Sequence, residues 1–204
     1  MGTTERRERE RLEMKELILR TATRQFEKYG YEKLTIRSIA QEIEYSPRTI
    51  YLYFKDKNEL LYAMSVKAFT LFVKHFESVL GIEDPFERLR ALNKVYFKFA
   101  FENPGYYDLM FILKAPMNSH FNSESWDIGM KSHKILEDIV TDCIAAGYFE
   151  GADPKVLAFS VWSYAHGVAT LKIRDRMKMY PEEEREMLIN QSFETIHHIL
   201  KGDK

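Results

Sequence analysis

One spacing recurs along the whole chain and decides what it can become. Apolar residues return every three or four positions, as Ile36, Ile39, Ala40 and Ile43 do, so that they share one helix face. No stretch sustains the period-two alternation of a half-buried strand. Neither Asn-Gly nor Asp-Gly, the strongest short hairpin signals, occurs. The expected fold class is all-α, with about nine helices.

Punctuation divides the pattern. A first helix is expected over about 8–29, with Leu17, Ile18, Ala22 and Phe26 inward and Gly30 as its C-cap. Thr35 caps a second helix. Ser46 before Pro47 marks the start of a third, because serine is a good N-cap and proline is tolerated at the first helical position. Further helices are expected at about 59–80, 85–102, 105–114, 124–147, 154–178 and 182–201. Pro154 and Pro181 stand at helix starts, and Asn103-Pro104-Gly105 is a strong break.

Composition narrows the function classes. Hydrophobic residues make up 45% of 204, so a real core is available. A formal charge of −1 gives no bulk electrostatic case for nucleic acid. Residues 1–60 hold 13 basic and 11 acidic groups (+2), and the rest hold 17 and 20 (−3), a mild basic bias in the first section. Cys143 is the single cysteine, so no internal disulfide or cysteine cluster forms, and its apolar neighbours suggest a buried thiol. A charged amino terminus and the lack of a long apolar run point to a cytoplasmic chain with no membrane partner.

The first three helices form a trihelical unit: two short helices joined by a tight turn, with a longer one before them. In helix-turn-helix geometry the second short helix enters the major groove and offers its first residues to base edges. Those residues are Pro47, Arg48 and Thr49, with Tyr51 one turn on. Arginine can bond guanine O6 and N7 together. The Tyr51 and Tyr53 hydroxyls reach toward phosphate, Lys57 stands where the helix leaves the backbone, and the amides at Thr35 suit a further phosphate. On spacing alone the same unit also fits a core helical hairpin with solvated tips.

Leu34 to Leu60, LTIRSIAQEIEYSPRTIYLYFKDKNEL, resembles the DNA-binding region of the TetR family of bacterial transcriptional regulators, and Ala22 to Gly30 resembles that family's first helix and its ending. The resemblance implies that Thr35, Ser46, Thr49, Tyr51, Tyr53 and Lys57 touch DNA, and that Arg48 lies where the family varies with operator sequence. This chain departs from the pattern twice. Glu44 stands where a turn glycine is usual, and Leu52 where histidine is frequent. The leucine replaces a phosphate contact with a side chain suited to a thymine methyl.

The remainder is more weakly similar. Val161 to Leu171, with Trp162-x-x-x-His166-Gly167, and Asn103 to Phe111 resemble the carboxy-terminal domain of one branch of the family. The implied organisation is a DNA-binding domain at 1–57 and a helical effector-binding and dimerisation domain at 58–204. The family resemblance places a small-molecule pocket among the aromatic-rich helices, with Phe72, Phe76, Tyr107, Phe111, Trp126, His133, Trp162 and His166 as candidate lining. Its expected occupant is hydrophobic or aromatic. The last two helices are expected to form a homodimer, with Phe193 at the interface. The expected function is a repressor released from a pseudo-palindromic double-stranded operator by that effector.

The alternative is a helical enzyme or a metal-binding bundle. Glu194 and His197 form one Glu-x-x-His motif, whereas a di-iron bundle needs two and two further glutamates. His120, His133 and His166 show no ligand spacing. No nucleophile elbow, phosphate loop or paired-carboxylate motif occurs, so no catalytic residue, metal or cofactor is assigned.

Overall fold

The structure, a computed structural model, describes residues 3–113 and 127–201. Among these the regular elements are nine helices: α1 Thr3–Tyr29, α2 Ile36–Glu42, α3 Pro47–Tyr51, α4 Lys57–Glu77, α5 Pro85–Glu102, α6 Pro104–Tyr107, α7 Asp127–Ala145, α8 Pro154–Ile173 and α9 Glu182–Lys201. The α6 segment continues through a π-helical turn, Asp108–Ile112. The all-α reading holds, and the breaks fall at the expected prolines and glycines. α1 starts earlier than its apolar pattern suggests, because its first turns carry opposite charges at i, i+4. Arg6 meets Glu10 at 2.8 Å and Arg9 meets Glu13 at 3.8 Å.

Packing divides the chain into two compact units. The first takes Met1–Thr70 with Asn103–Trp126, the second Leu71–Glu102 with Asp127–Lys204. The first unit therefore reaches past residue 57 into α4 and recruits α6.

The first unit closes on one core. Ile18, Ala22 and Phe26 of α1 meet Leu34 and Ile39, then Ile50 and Phe54, then Leu60, Leu61 and Met64 of α4, with Leu109 completing it. Glycine at 105 lets α6 lie against α1, where a Cβ would run into the Glu27 side chain. A polar network ties α2 to α1. The buried Gln25 amide donates to the Ser38 carbonyl at 3.0 Å and accepts from the Ser38 hydroxyl at 2.7 Å, while Glu42 takes both Gln25 and Arg24.

The turn after α2 keeps its left-handed form without glycine. Glu44 has φ of 60°, its amide donates to the Gln41 carbonyl at 3.3 Å, and the Tyr45 amide returns to Ala40 at 2.9 Å. This is a Schellman ending with Glu44 at the left-handed position. A side chain there costs on the order of 1 kcal/mol. Glu44→Gly is expected to stabilise the unit by about that amount, read as a rise in the urea midpoint with an unchanged slope.

The second unit is an aromatic core. Phe72 of α4 packs on Phe76 at 4.3 Å, on Phe99 at 4.9 Å and on Tyr96 at 5.6 Å between ring centroids. α5, α7 and α8 pack against one another. α9 turns Ile189, Phe193 and His197 inward, and the Phe193 ring meets Phe97 at 5.8 Å and His197 at 4.3 Å. Phe193, read from the sequence as an interface residue, is 5% exposed and belongs to the core. The sequence shows two apolar stripes on α9 without showing which one its own unit covers. Cys143 is buried, and burial pushes its thiol up to about 12.

Candidate nucleic-acid interface

The candidate surface is built by two caps and a tight turn. Thr35 opens α2 with its hydroxyl accepting from the Ser38 amide at 3.0 Å, while the Ser38 hydroxyl accepts from the Thr35 amide at 3.1 Å. The reciprocal bonds of this capping box pair the Thr35 and Ser38 amides, and the amides of Ile36 and Arg37 lie between them at the helix start. Ser46 opens α3 in the same way, its Oγ accepting from the Thr49 amide at 3.2 Å, and the two hydroxyls of Ser46 and Thr49 lie 3.0 Å apart. Pro47 fills the first helical position. With Ile50 and Phe54 anchored in the core, Pro47, Arg48, Tyr51 and Leu52 are left exposed along one rim.

Arg48 is exposed, and among the described residues nothing holds its guanidinium. Tyr51 is exposed, and Tyr53 is half-buried against the core. Thr49 is half-buried, with its hydroxyl engaged by Ser46. Leu52 is 71% exposed, an apolar side chain offered to solvent at the end of α3.

Lys57 is held within the fold. Its Nζ donates to the Tyr31 carbonyl at 2.7 Å and lies 3.8 Å from the Tyr31 ring centroid. Burial lowers its pKa, with the nearby Glu32 opposing. This anchor joins the start of α4 to the turn after α1, and sequence spacing gave no sign of it. Lys57→Ala is expected to cost about 1–2 kcal/mol of stability through the lost charged bond and ring contact, measured by urea unfolding.

The candidate pocket residues divide between the units. Tyr107 and Phe111 belong to the first, with ring centroids 5.1 Å apart, and Phe111 meets Phe69 at 5.6 Å. Phe72 and Phe76 are buried core of the second. Also in the second, His133 of α7 is half-buried, and Trp162 and His166 of α8 are half-buried with rings 5.7 Å apart. Burial lowers the His166 pKa. Trp126 and His120 lie outside the described residues.

The Glu-x-x-His motif is absorbed by structure. His197 Nδ1–H donates to the Phe193 carbonyl at 2.8 Å, and its Nε2 faces the Asn93 amide at 3.3 Å. Burial lowers the pKa of this ring, with the bond to the Phe193 carbonyl opposing. Glu194 pairs with Arg90 at 2.5 Å. No group of three or more His, Cys, Asp and Glu among the described residues is placed to hold a metal ion. No helix among them is long and apolar enough to cross a membrane.

A capped α2, a tight turn and a short α3 with an exposed basic and aromatic rim define a helix-turn-helix protein carrying a further helical unit. Residues 18–64 match the family model for bacterial regulatory proteins of the tetR family, and residues 89–195 match the tetracyclin repressor-like carboxy-terminal domain. The chain belongs to the TetR family of bacterial transcriptional regulators. A helix-turn-helix transcriptional regulator of Haemophilus influenzae is 32% identical over 93 residues, which are 45% of this chain and 50% of that protein. The chain thus spans half the length of that relative. A protein of unknown function from Rhodococcus sp. RHA1 shares the fold, with TM-score 0.77, 24% identity, and 92% and 95% of the two chains covered. So does AibR, solved in complex with isovaleryl coenzyme A and operator DNA, with TM-score 0.68, 20% identity, and 93% and 99% covered.

Proposed function

We propose that this chain is a repressor that binds a pseudo-palindromic operator as a homodimer and is released by a hydrophobic or aromatic small molecule. The observation that carries the reading is the α3 rim, where Arg48 stands exposed and unpaired beside exposed Pro47 and Tyr51 while Ile50 and Phe54 of the same segment are buried. A core hairpin has no reason to leave that set open. In this reading Arg48 reads bases, Tyr51, Tyr53 and the first amides of α2 beyond its Thr35 cap meet phosphate, and Leu52 packs on a thymine methyl. Lys57 keeps donors beyond the one given to Tyr31, and these face phosphate. The functional boundary then falls near residue 57, and the protein works in the cytoplasm.

Dimerisation is supported by two open faces in the second unit. On α8, Val156, Phe159, Ser160, Ser163, Gly167 and Leu171 are exposed, and a Cβ at Gly167 would meet open space. On α9, Met187, Gln191, Thr195 and Ile199 are exposed. Small residues beside large apolar ones let two such helices approach a symmetric copy closely.

The effector reading rests on the half-buried Trp162 and His166 of α8 and on family membership. The Trp162-x-x-x-His166-Gly167 pattern supports placement in the branch that carries it. Acyl thioesters are apolar at one end, and AibR takes one, so isovaleryl coenzyme A belongs in the first set of probes. The test is release of labelled operator by a panel of aromatic acids and acyl thioesters, repeated with Trp162→Ala and Phe72→Ala. Release from wild type that is lost in the variants supports the pocket. Equal release from all three places the effector elsewhere.

A further inference from the structure

The first four turns of α1 carry a charge pattern that the helix-turn-helix does not use. Residues 4–13 are all exposed. Their acids and bases balance in number, yet the pairing is selective. Arg6 takes Glu10, Arg9 takes Glu13, and Lys67 of α4 takes Glu16. Arg7 and Arg11 carry no ion pair among the described residues. Residues four apart share a helix face, so Arg7, Arg11 and Lys15 form one line. It runs about 12 Å at 1.5 Å per residue.

The direction of that line matters. The same face continues through Ile18 and Ala22 into the core of the first unit. Lys15 marks the crossover, its Nζ lying 5.7 Å from the centroid of the Phe54 ring. Phe54 closes the segment that begins with α3, at the end from which exposed Lys55 projects. The unpaired basic line therefore starts beside the exit of α3 and extends outward, with Glu8 and Glu10 as the acids bordering it.

We propose that Arg7 and Arg11 bind the phosphate backbone of the duplex flanking each half-site, lengthening the DNA footprint beyond the α3 contacts. This rests on the DNA-binding reading above. Contact with phosphate carries no base preference and is paid for by released counterions, so it is read as salt dependence.

The experiment measures fluorescence anisotropy of a duplex enriched by the wild-type protein from a random pool, across a salt series. The Arg7→Ala/Arg11→Ala double variant is expected to reduce the slope of log K against log salt by about 2 per half-site, and to weaken enriched and random duplexes by the same factor, roughly 10–30-fold at 0.15 M salt. A paired swap, Arg6→Glu with Glu10→Arg, keeps its ion pair and should leave the slope unchanged. Trimming the duplex to the central site should erase the difference between wild type and the double variant. All these positions are exposed, so helicity by circular dichroism should stay the same. An unchanged slope for the double variant, or equal losses from the swap, overturns the inference while the α3 reading stands. Failure of the wild type to enrich any duplex overturns the functional reading, and this inference with it.

Discussion

Phe159→Glu is expected to yield a folded monomer that no longer holds the operator. The side chain is 59% exposed within one chain, so the glutamate meets water in the monomer and the second unit survives. In a two-fold dimer the same position is covered by the partner's matching face. Burying an unpaired carboxylate there costs about 3–5 kcal/mol, enough to dissociate a modest interface. A monomer engages one half-site and loses the advantage of linked binding, which is worth about 100-fold or more. Ile199→Glu on α9 should behave alike. Phe193→Glu should instead disrupt the second unit, because its ring packs on Phe97 and His197. Light scattering and circular dichroism on the three variants separate these outcomes. A Phe159→Glu dimer with full operator affinity would place the interface off α8.

Arg48→Ala is expected to weaken operator binding by about 1–3 kcal/mol and to relax preference at one base position per half-site. The expectation follows from how α3 is held. Ser46 and Thr49 are committed to the cap, and Ile50 and Phe54 to the core, which leaves Arg48 as the long donor at the start of the helix. A bidentate arginine on guanine gives its energy only with the right base. Random duplex should therefore lose little. Equal loss on operator and random DNA would make Arg48 a phosphate contact.

The helices were legible because apolar spacing and helix punctuation act locally. Ser46, Pro47 and Gly30 do in the structure what their chemistry suggests, and Glu44 holds the left-handed turn that its place in the pattern requires. What stayed hidden depends on partners distant in sequence. Lys57 reads as a free cation until its donation to the Tyr31 carbonyl is seen, 26 positions away. α9 offers two apolar stripes, and only the packing of Phe97 shows that Phe193 faces inward and Ile199 outward. The amino-terminal charges are a different case: their pairs, Arg6 with Glu10 and Arg9 with Glu13, are local, and the even interleaving of arginine and glutamate reads in sequence as a solvated helix extension. Aromatic content likewise marks a large core, and Phe72 and Phe76 prove to be part of it.

The proposed role of the α3 rim is to read a two-fold DNA site. Its most direct test is hydroxyl-radical footprinting of the wild-type protein on the duplex it enriches from a random pool. Two protected half-sites are expected, related by a dyad and separated by about one helical turn or a multiple of it, with protection lost when Arg48 and Tyr51 are both replaced by alanine. No enriched sequence, or a footprint without a dyad that survives the double replacement, would contradict it.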